Sequence, residues 1–123
     1  MAAGWRLYGD GKYMAARREF EKALSFEARC PDAHNGIGLC HKNEGKLNES
    51  NRSFNQALEF KADHYESLYN LANNKYLQGD YAEAVKYFSR AKNAAGDAAS
   101  ADLVLSLANV YRDKARGEQG ASR

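Results

Sequence analysis

The segment QGDYAEAVKYFSRA, residues 78–91, carries Gly79, Tyr81, Ala84, Phe88 and Ala91. The same skeleton stands 34 residues upstream in EGKLNESNRSFNQA, residues 44–57, as Gly45, Leu47, Ser50, Phe54 and Ala57. It stands 34 residues further upstream in DGKYMAARREFEKA, residues 10–23, as Gly11, Tyr13, Ala16, Phe20 and Ala23. Five positions keep their chemical type at a constant step, so the chain is built from copies of one unit. An internal period of this length marks a repeat array, in which each unit buries its apolar face only against its neighbours.

Within a unit the apolar residues have helical spacing. Tyr81, Ala84, Val85, Phe88 and Ala91 fall on one stripe, the pattern of an amphipathic helix. A second helical stretch precedes each stripe, DAHNGIGLCHKN at 32–43 and YESLYNLANNKYL at 65–77. The glycine between them supplies the positive φ that ends a helix tightly. Each unit therefore reads as helix A, a short turn and an antiparallel helix B. The first unit is clipped, leaving helix A only about Ala2 to Gly9. After the Ala- and Gly-rich NAAGDAASAD at 93–102, LVLSLANVYRDKAR restores the pattern, and Leu71 to Leu107 is a step of 36. The expectation is seven helices, with GEQGASR at 117–123 a flexible tail.

Composition agrees. The 123 residues are 44% hydrophobic and 28% charged, with a net charge of +2, one Pro and two Cys. That balance suits an ordered domain and excludes a polybasic or polyacidic tail. No apolar run approaches the ~20 residues of a membrane span, and the first residues lack a signal-peptide core. These features predict a cytoplasmic protein, or a fragment of a larger one, without membrane insertion. Two cysteines are too few for a disulfide framework.

The pattern resembles the tetratricopeptide repeat, a 34-residue helix–turn–helix unit. Numbered from Pro31 or Tyr65, positions 8, 20 and 27 of that family are small. Here they are Gly38, Ser50 and Ala57, then Ala72, Ala84 and Ala91, with Gly4, Ala16 and Ala23 in the first unit. The large apolar positions 7, 17 and 24 are Ile37, Leu47 and Phe54, then Leu71, Tyr81 and Phe88. Departures are Ala28, Ala62 or Gly96 where proline is usual, His41 and Lys75 where an aromatic is usual, and His34 in place of a large apolar residue. The resemblance implies an all-α, right-handed solenoid over residues 1–116. Its repeats would be 1–30, 31–64 and 65–98, with a capping helix at 99–116.

The resemblance further implies that helix A lines a concave groove through positions 2, 5, 6, 9, 12 and 13. This predicts a partner-binding set of Trp5, Tyr8, Asn35, Leu39, Lys42, Tyr69, Asn70, Asn73, Tyr76, Asn109 and Arg112. Asn side chains can pair with both N–H and C=O of a peptide, and aromatic residues are enriched at binding surfaces. The expected function is a non-catalytic module that holds a peptide or helix of another protein, as scaffold or adaptor. The two-carboxylate clamp of some family members is not expected: only Asn70 fits it, and Glu66 and Asp102 would repel a carboxylate. Asp32, Glu66 and Asp102 read as acids that complement helix dipoles.

Other readings are weaker. Cys30, His34, Cys40 and His41 do not converge as a tetrahedral zinc site requires, since Cys40 and His41 point about 100° apart on one helix. No metal, cofactor or small-molecule substrate is expected. No oxyanion-hole loop is suggested near either cysteine, and GDGKY lacks phosphate-loop spacing. RNA binding by helical repeats is disfavoured because the predicted groove holds only two cations, Lys42 and Arg112. Self-assembly is the alternative: the clipped first helix predicts an exposed edge around Phe20 and Leu24 that a second copy could cover.

Overall fold

The computed structural model describes residues 1–96 and 101–121. Among these residues seven helices form, α1 (Ala2–Gly9), α2 (Tyr13–Phe26), α3 (Pro31–Asn43), α4 (Leu47–Phe60), α5 (Tyr65–Leu77), α6 (Tyr81–Ala95) and α7 (Ala101–Ala121). Gly11, Gly45 and Gly79 hold φ of 77°, 79° and 78°, so the A–B turn recurs with one geometry at the positions the period predicts. Each helix packs on the next in sequence, and α1, α3 and α5 also touch in turn. The result is an all-α solenoid of stacked hairpins.

Among the described residues, Phe20, Phe54 and Phe88 are the largest fully buried side chains, one from each helix B. Phe54 presses on Gly38, where an added methyl group would lie 2.5 Å from its ring. Phe20 is held between two glycines: methyl groups at Gly4 and Gly36 would lie 2.8 and 2.7 Å from it. Trp5 closes over Phe20 edge-on, with ring centroids 4.8 Å apart. The edge expected at Phe20 and Leu24 is therefore covered. Phe20 is fully buried and Leu24 half-buried, whereas Phe26 is 86% exposed. Eight residues of α1 suffice to cap Phe20 but do not reach Phe26, whereas the corresponding Phe60 meets the His34 ring of the longer α3 at 5.6 Å.

The terminal helix runs past the expected end at 116. Its described span is Ala101–Ala121, so the expected flexible tail at 117–123 is helical over its described part. Gly117 lowers helix propensity by only about 1 kcal/mol, and the surrounding Arg, Glu and Gln are strong helix formers. The loop read at 93–102 lies partly outside the described residues.

Between units, corresponding positions carry different chemistry. At the α2–α3 junction, Arg17 Nε lies 3.5 Å from Glu44. At the α4–α5 junction the residues 34 further on are amides: Asn51 donates to Gln78 Oε1 at 3.1 Å, and the fully buried Asn74 donates to Asn51 Oδ1 and Ser50 Oγ, both at 2.9 Å. At the α6–α7 junction Val85 and Val110 join one apolar cluster. Ser50 also donates to the Gly38 carbonyl at 2.7 Å. Ala16 and Ala84 occupy the matching positions, so a methyl group fits there. Ser50→Ala is thus expected to lose hydrogen bonding without steric change, destabilising by about 1–3 kcal/mol in urea titration. A loss below about 0.5 kcal/mol would show that the network does not hold the junction.

Candidate functional site

The A helices α1, α3, α5 and α7 contribute one wall. Side-chain hydrogen bonds tie it together at separations of 35, 35 and 37 residues. Asn43 Nδ2 donates to Tyr8 Oη at 3.0 Å, Asn70 Nδ2 to Asn35 Oδ1 at 3.0 Å, and Tyr76 Oη to the Asp113 carboxylate. The longer last separation matches the step of 36 between the third unit and α7. The bond to Asp113 holds the Tyr76 hydroxyl above its ordinary pKa. The same bond holds the Asp113 carboxyl below its own.

These ties sort the sequence-predicted residues. Asn35 is 4% exposed and Asn70 half-buried; the two engage each other. Tyr8 and Tyr76 spend their hydroxyls on the next A helix, so they offer ring surface. Trp5 packs on Phe20 and edge-on to Tyr8. Tyr69 stands edge-on to Phe88 at 5.6 Å, and Leu39 joins the same core cluster. Arg112 lies 3.5 Å from Asp113. Lys42 makes no ion pair among the described residues, and neither Asn73 nor Asn109 makes a side-chain hydrogen bond there.

Asn73, Tyr76 and Asn109 come together. With Phe88, Ser106 and Val110 they line a cavity of about 90 Å³ between α5 and α7. Its floor is apolar and its rim carries two amides and a hydroxyl. Residue-by-residue reading missed Asn43 and Asp113, which fall at position 13 of their helices. It also missed Ser106 at position 6. Position 13 of the second unit gives Asn43, and extending positions 6 and 13 through the shifted last unit gives Ser106 and Asp113.

Sequence reading also missed His64, which caps the start of α5 and is 4% exposed. Its Nε2 lies 2.7 Å from Asp32 Oδ1, and its Nδ1 lies 2.7 Å from Ser67 Oγ. Asp32, expected only to complement a helix dipole, is thus bound to the next unit. Carboxylate, imidazole and hydroxyl stand in the order that activates a serine nucleophile. Ser67 is fully buried, however, and its hydroxyl donates to Asn35 Oδ1 at 3.3 Å, so no acyl group can approach it.

Cys40 is fully buried and Cys30 partly so. Burial, then the Glu44 carboxylate, pushes the Cys40 thiol up to about 11. Burial, then Arg17, lowers the pKa of His41. His34 Nε2 is engaged by the Ala28 carbonyl at 3.0 Å. No helix among the described residues is long and apolar enough to cross a membrane.

Stacked helical hairpins with one wall of half-buried amides and aromatic rings define a helical-repeat solenoid. The chain belongs to the tetratricopeptide-repeat family, whose models match residues 1–50 and 65–97. No match is found among curated protein sequences. Among solved structures it is similar to the Sgt2 TPR domain of Aspergillus fumigatus, at 17% identity and a TM-score of 0.90, covering 98% of this chain and 80% of that one. It is similar to the Yersinia enterocolitica type III secretion chaperone SycD in complex with a peptide of the translocator YopD, at 17% identity and a TM-score of 0.83, covering 92% and 90%. It is also similar to the first TPR of Spaghetti (RPAP3) bound to the HSP90 peptide SRMEEVD, at 14% identity and a TM-score of 0.85, covering 93% and 89%.

Proposed function

We propose that this chain is a protein-interaction module that holds a peptide or helix of a partner protein along the wall of A helices, as a scaffold or adaptor. One observation carries the reading: the amides of Asn73 and Asn109 stand unengaged above Phe88 and Val110 at the rim of the α5–α7 cavity. An apolar floor takes a side chain while the amides pair with the N–H and C=O beside it. Two of the similar structures hold peptides of partner proteins, which supports the same use of the fold here. A ligand ending in two carboxylates is disfavoured, because Asn70 is spent on Asn35 and Glu66 is exposed nearby. Lys42 supplies one free cation, which suits a single acidic side chain. A second reading, self-association through the open end of α2, is favoured by the exposure of Phe26 and Met14.

The test is a paired capture from a cell lysate with the native chain and Asn73→Ala/Asn109→Ala. Neither amide supports the fold, so melting is expected to change by no more than about 0.5 kcal/mol. Binding of the principal captured protein is expected to weaken about tenfold or more, the equivalent of one or two hydrogen bonds. Unchanged binding would overturn the wall assignment. Capture chiefly of the same chain would favour self-association.

A further inference from the structure

The network around His64 contains a hydrogen count that the wall's architecture does not use. Asp32 Oδ1 accepts only, so His64 Nε2 carries a hydrogen. Ser67 has one hydroxyl hydrogen. Given to Asn35 Oδ1 at 3.3 Å, it is not available to His64 Nδ1 at 2.7 Å. In the state where Ser67 keeps that donation, Nδ1 carries a hydrogen as well, and the ring is an imidazolium. When the ring is neutral, Nδ1 accepts instead, and the Ser67 hydroxyl turns to donate to it. The Ser67 oxygen can then only accept from Asn35, so Asn35 must present its NH2 group inward. That reversal passes to Asn70, whose NH2 group now meets Asn35 Oδ1 at 3.0 Å.

We propose that the protonation state of His64, relayed by the Ser67 hydroxyl, sets the hydrogen-bond polarity of the Asn35–Asn70 pair in the candidate binding wall. With the ring charged, Asn70 gives its NH2 group to Asn35 and offers its carbonyl. With the ring neutral, both amides turn over and Asn70 offers its NH2 group. Each of these hydrogen bonds is kept in both states; that from Nε2 to Asp32 keeps its direction and the others reverse. One proton from solvent enters at Nδ1 and leaves from the same atom. His64 and Ser67 are positioning residues: acidification turns a donor on the wall into an acceptor, and the partner atom preferred there changes from a carbonyl to an N–H. This consequence rests on the wall being the binding surface, whereas the relay itself is a property of the free protein.

The groups around the ring allow both states. Asp32 faces it from α3, and Glu66 lies 3.5 Å away in the first turn of α5. Arg90 comes from α6 but donates to the Ala62 carbonyl at 3.2 Å. Lys61 and Asp63 of the adjoining loop are exposed.

The test follows the His64 ring and the Asn35 and Asn70 side-chain amides by NMR through a pH titration of the free protein. The amide signals are expected to move with the same midpoint as the ring. In Ser67→Ala the ring should still titrate while the amides stay constant. Ala33 holds the corresponding position one unit earlier and is fully buried, so the variant fits the fold. Ser67→Thr keeps the hydroxyl and should keep the coupling. A merely structural Ser67 would leave the amides equally pH-dependent in all three proteins, which overturns the relay. Amides that do not move in the native chain also overturn it. Either result leaves the Asn73→Ala/Asn109→Ala binding test unaffected, so failure of the relay and failure of the wall are separable.

Discussion

Gly38→Leu is expected to unfold the second hairpin. A Cβ at this position would lie 2.5 Å from the ring of Phe54, which has no exposed surface and no room to retreat. The remaining leucine carbons would add to the conflict, for a loss of more than about 3 kcal/mol. Ser50 sharpens the effect, since its hydroxyl is bound to the Gly38 carbonyl at 2.7 Å. Separating α3 from α4 breaks that bond together with the packing. Gly38→Ala should fall between the native chain and Gly38→Leu. The third unit does carry Ala72 at the matching position, fully buried, so its hairpin is spaced for a methyl group and the second is not. Thermal and urea melts of both variants are the measurement. A Gly38→Leu protein melting within about 1 kcal/mol of the native chain would show that α3 and α4 are not held at this crossing.

Phe20→Ala is expected to cost about 3–5 kcal/mol, and the loss should be local. The ring fills the space between Gly4 and Gly36 and supports Trp5, so its removal leaves α1 without a floor. Repeat arrays are stabilised by nearest-neighbour contacts. The first unit should therefore loosen before the others. Trp5 is the single tryptophan, and its fluorescence reports that end of the molecule alone. In the variant its transition should precede the loss of helix seen by circular dichroism, whereas native transitions lie closer together. Coincident transitions with unchanged midpoints would mean that Phe20 does not anchor the first helix.

Most of the fold is legible in the sequence because it depends on period and side-chain size. The three glycines that end the A helices, the phenylalanines of the B helices and the bounds of α1 and α4 follow from spacing alone. The reach of α7 does not, since helix propensity falls gradually over 117–121 and no sharp stop is present. The burial of Phe20 also escaped, because the double glycine contact joins residues of two different units. Within the wall, helical position placed Asn73, Tyr76 and Asn109 in one set of eleven residues. It could not tell engaged groups from open ones. That Asn35 is bound to Asn70, and that His64 and Ser67 stand behind it, depends on pairings across some 32–35 residues to which no single unit's pattern points.

The three junctions bear on how the chain finds its fold. Near-identical units invite frame errors, in which a helix docks against the copy one unit away from its proper neighbour. Placing α2 against α5 would bring Arg17 to Asn74 and Gln78, neutral amides that leave a shielded guanidinium without a counter-charge. Docking the face of α4 that meets α5 onto the face of α3 that meets α2 would strand Glu44 in the same way, opposite Asn51. Either error leaves a poorly solvated charge unmatched, at a cost of several kcal/mol, while the native order matches ion to ion, amide to amide and alkyl to alkyl. The junctions thus act as keyed joints that admit one order of assembly, and a repetitive chain acquires a unique address for each of its helices.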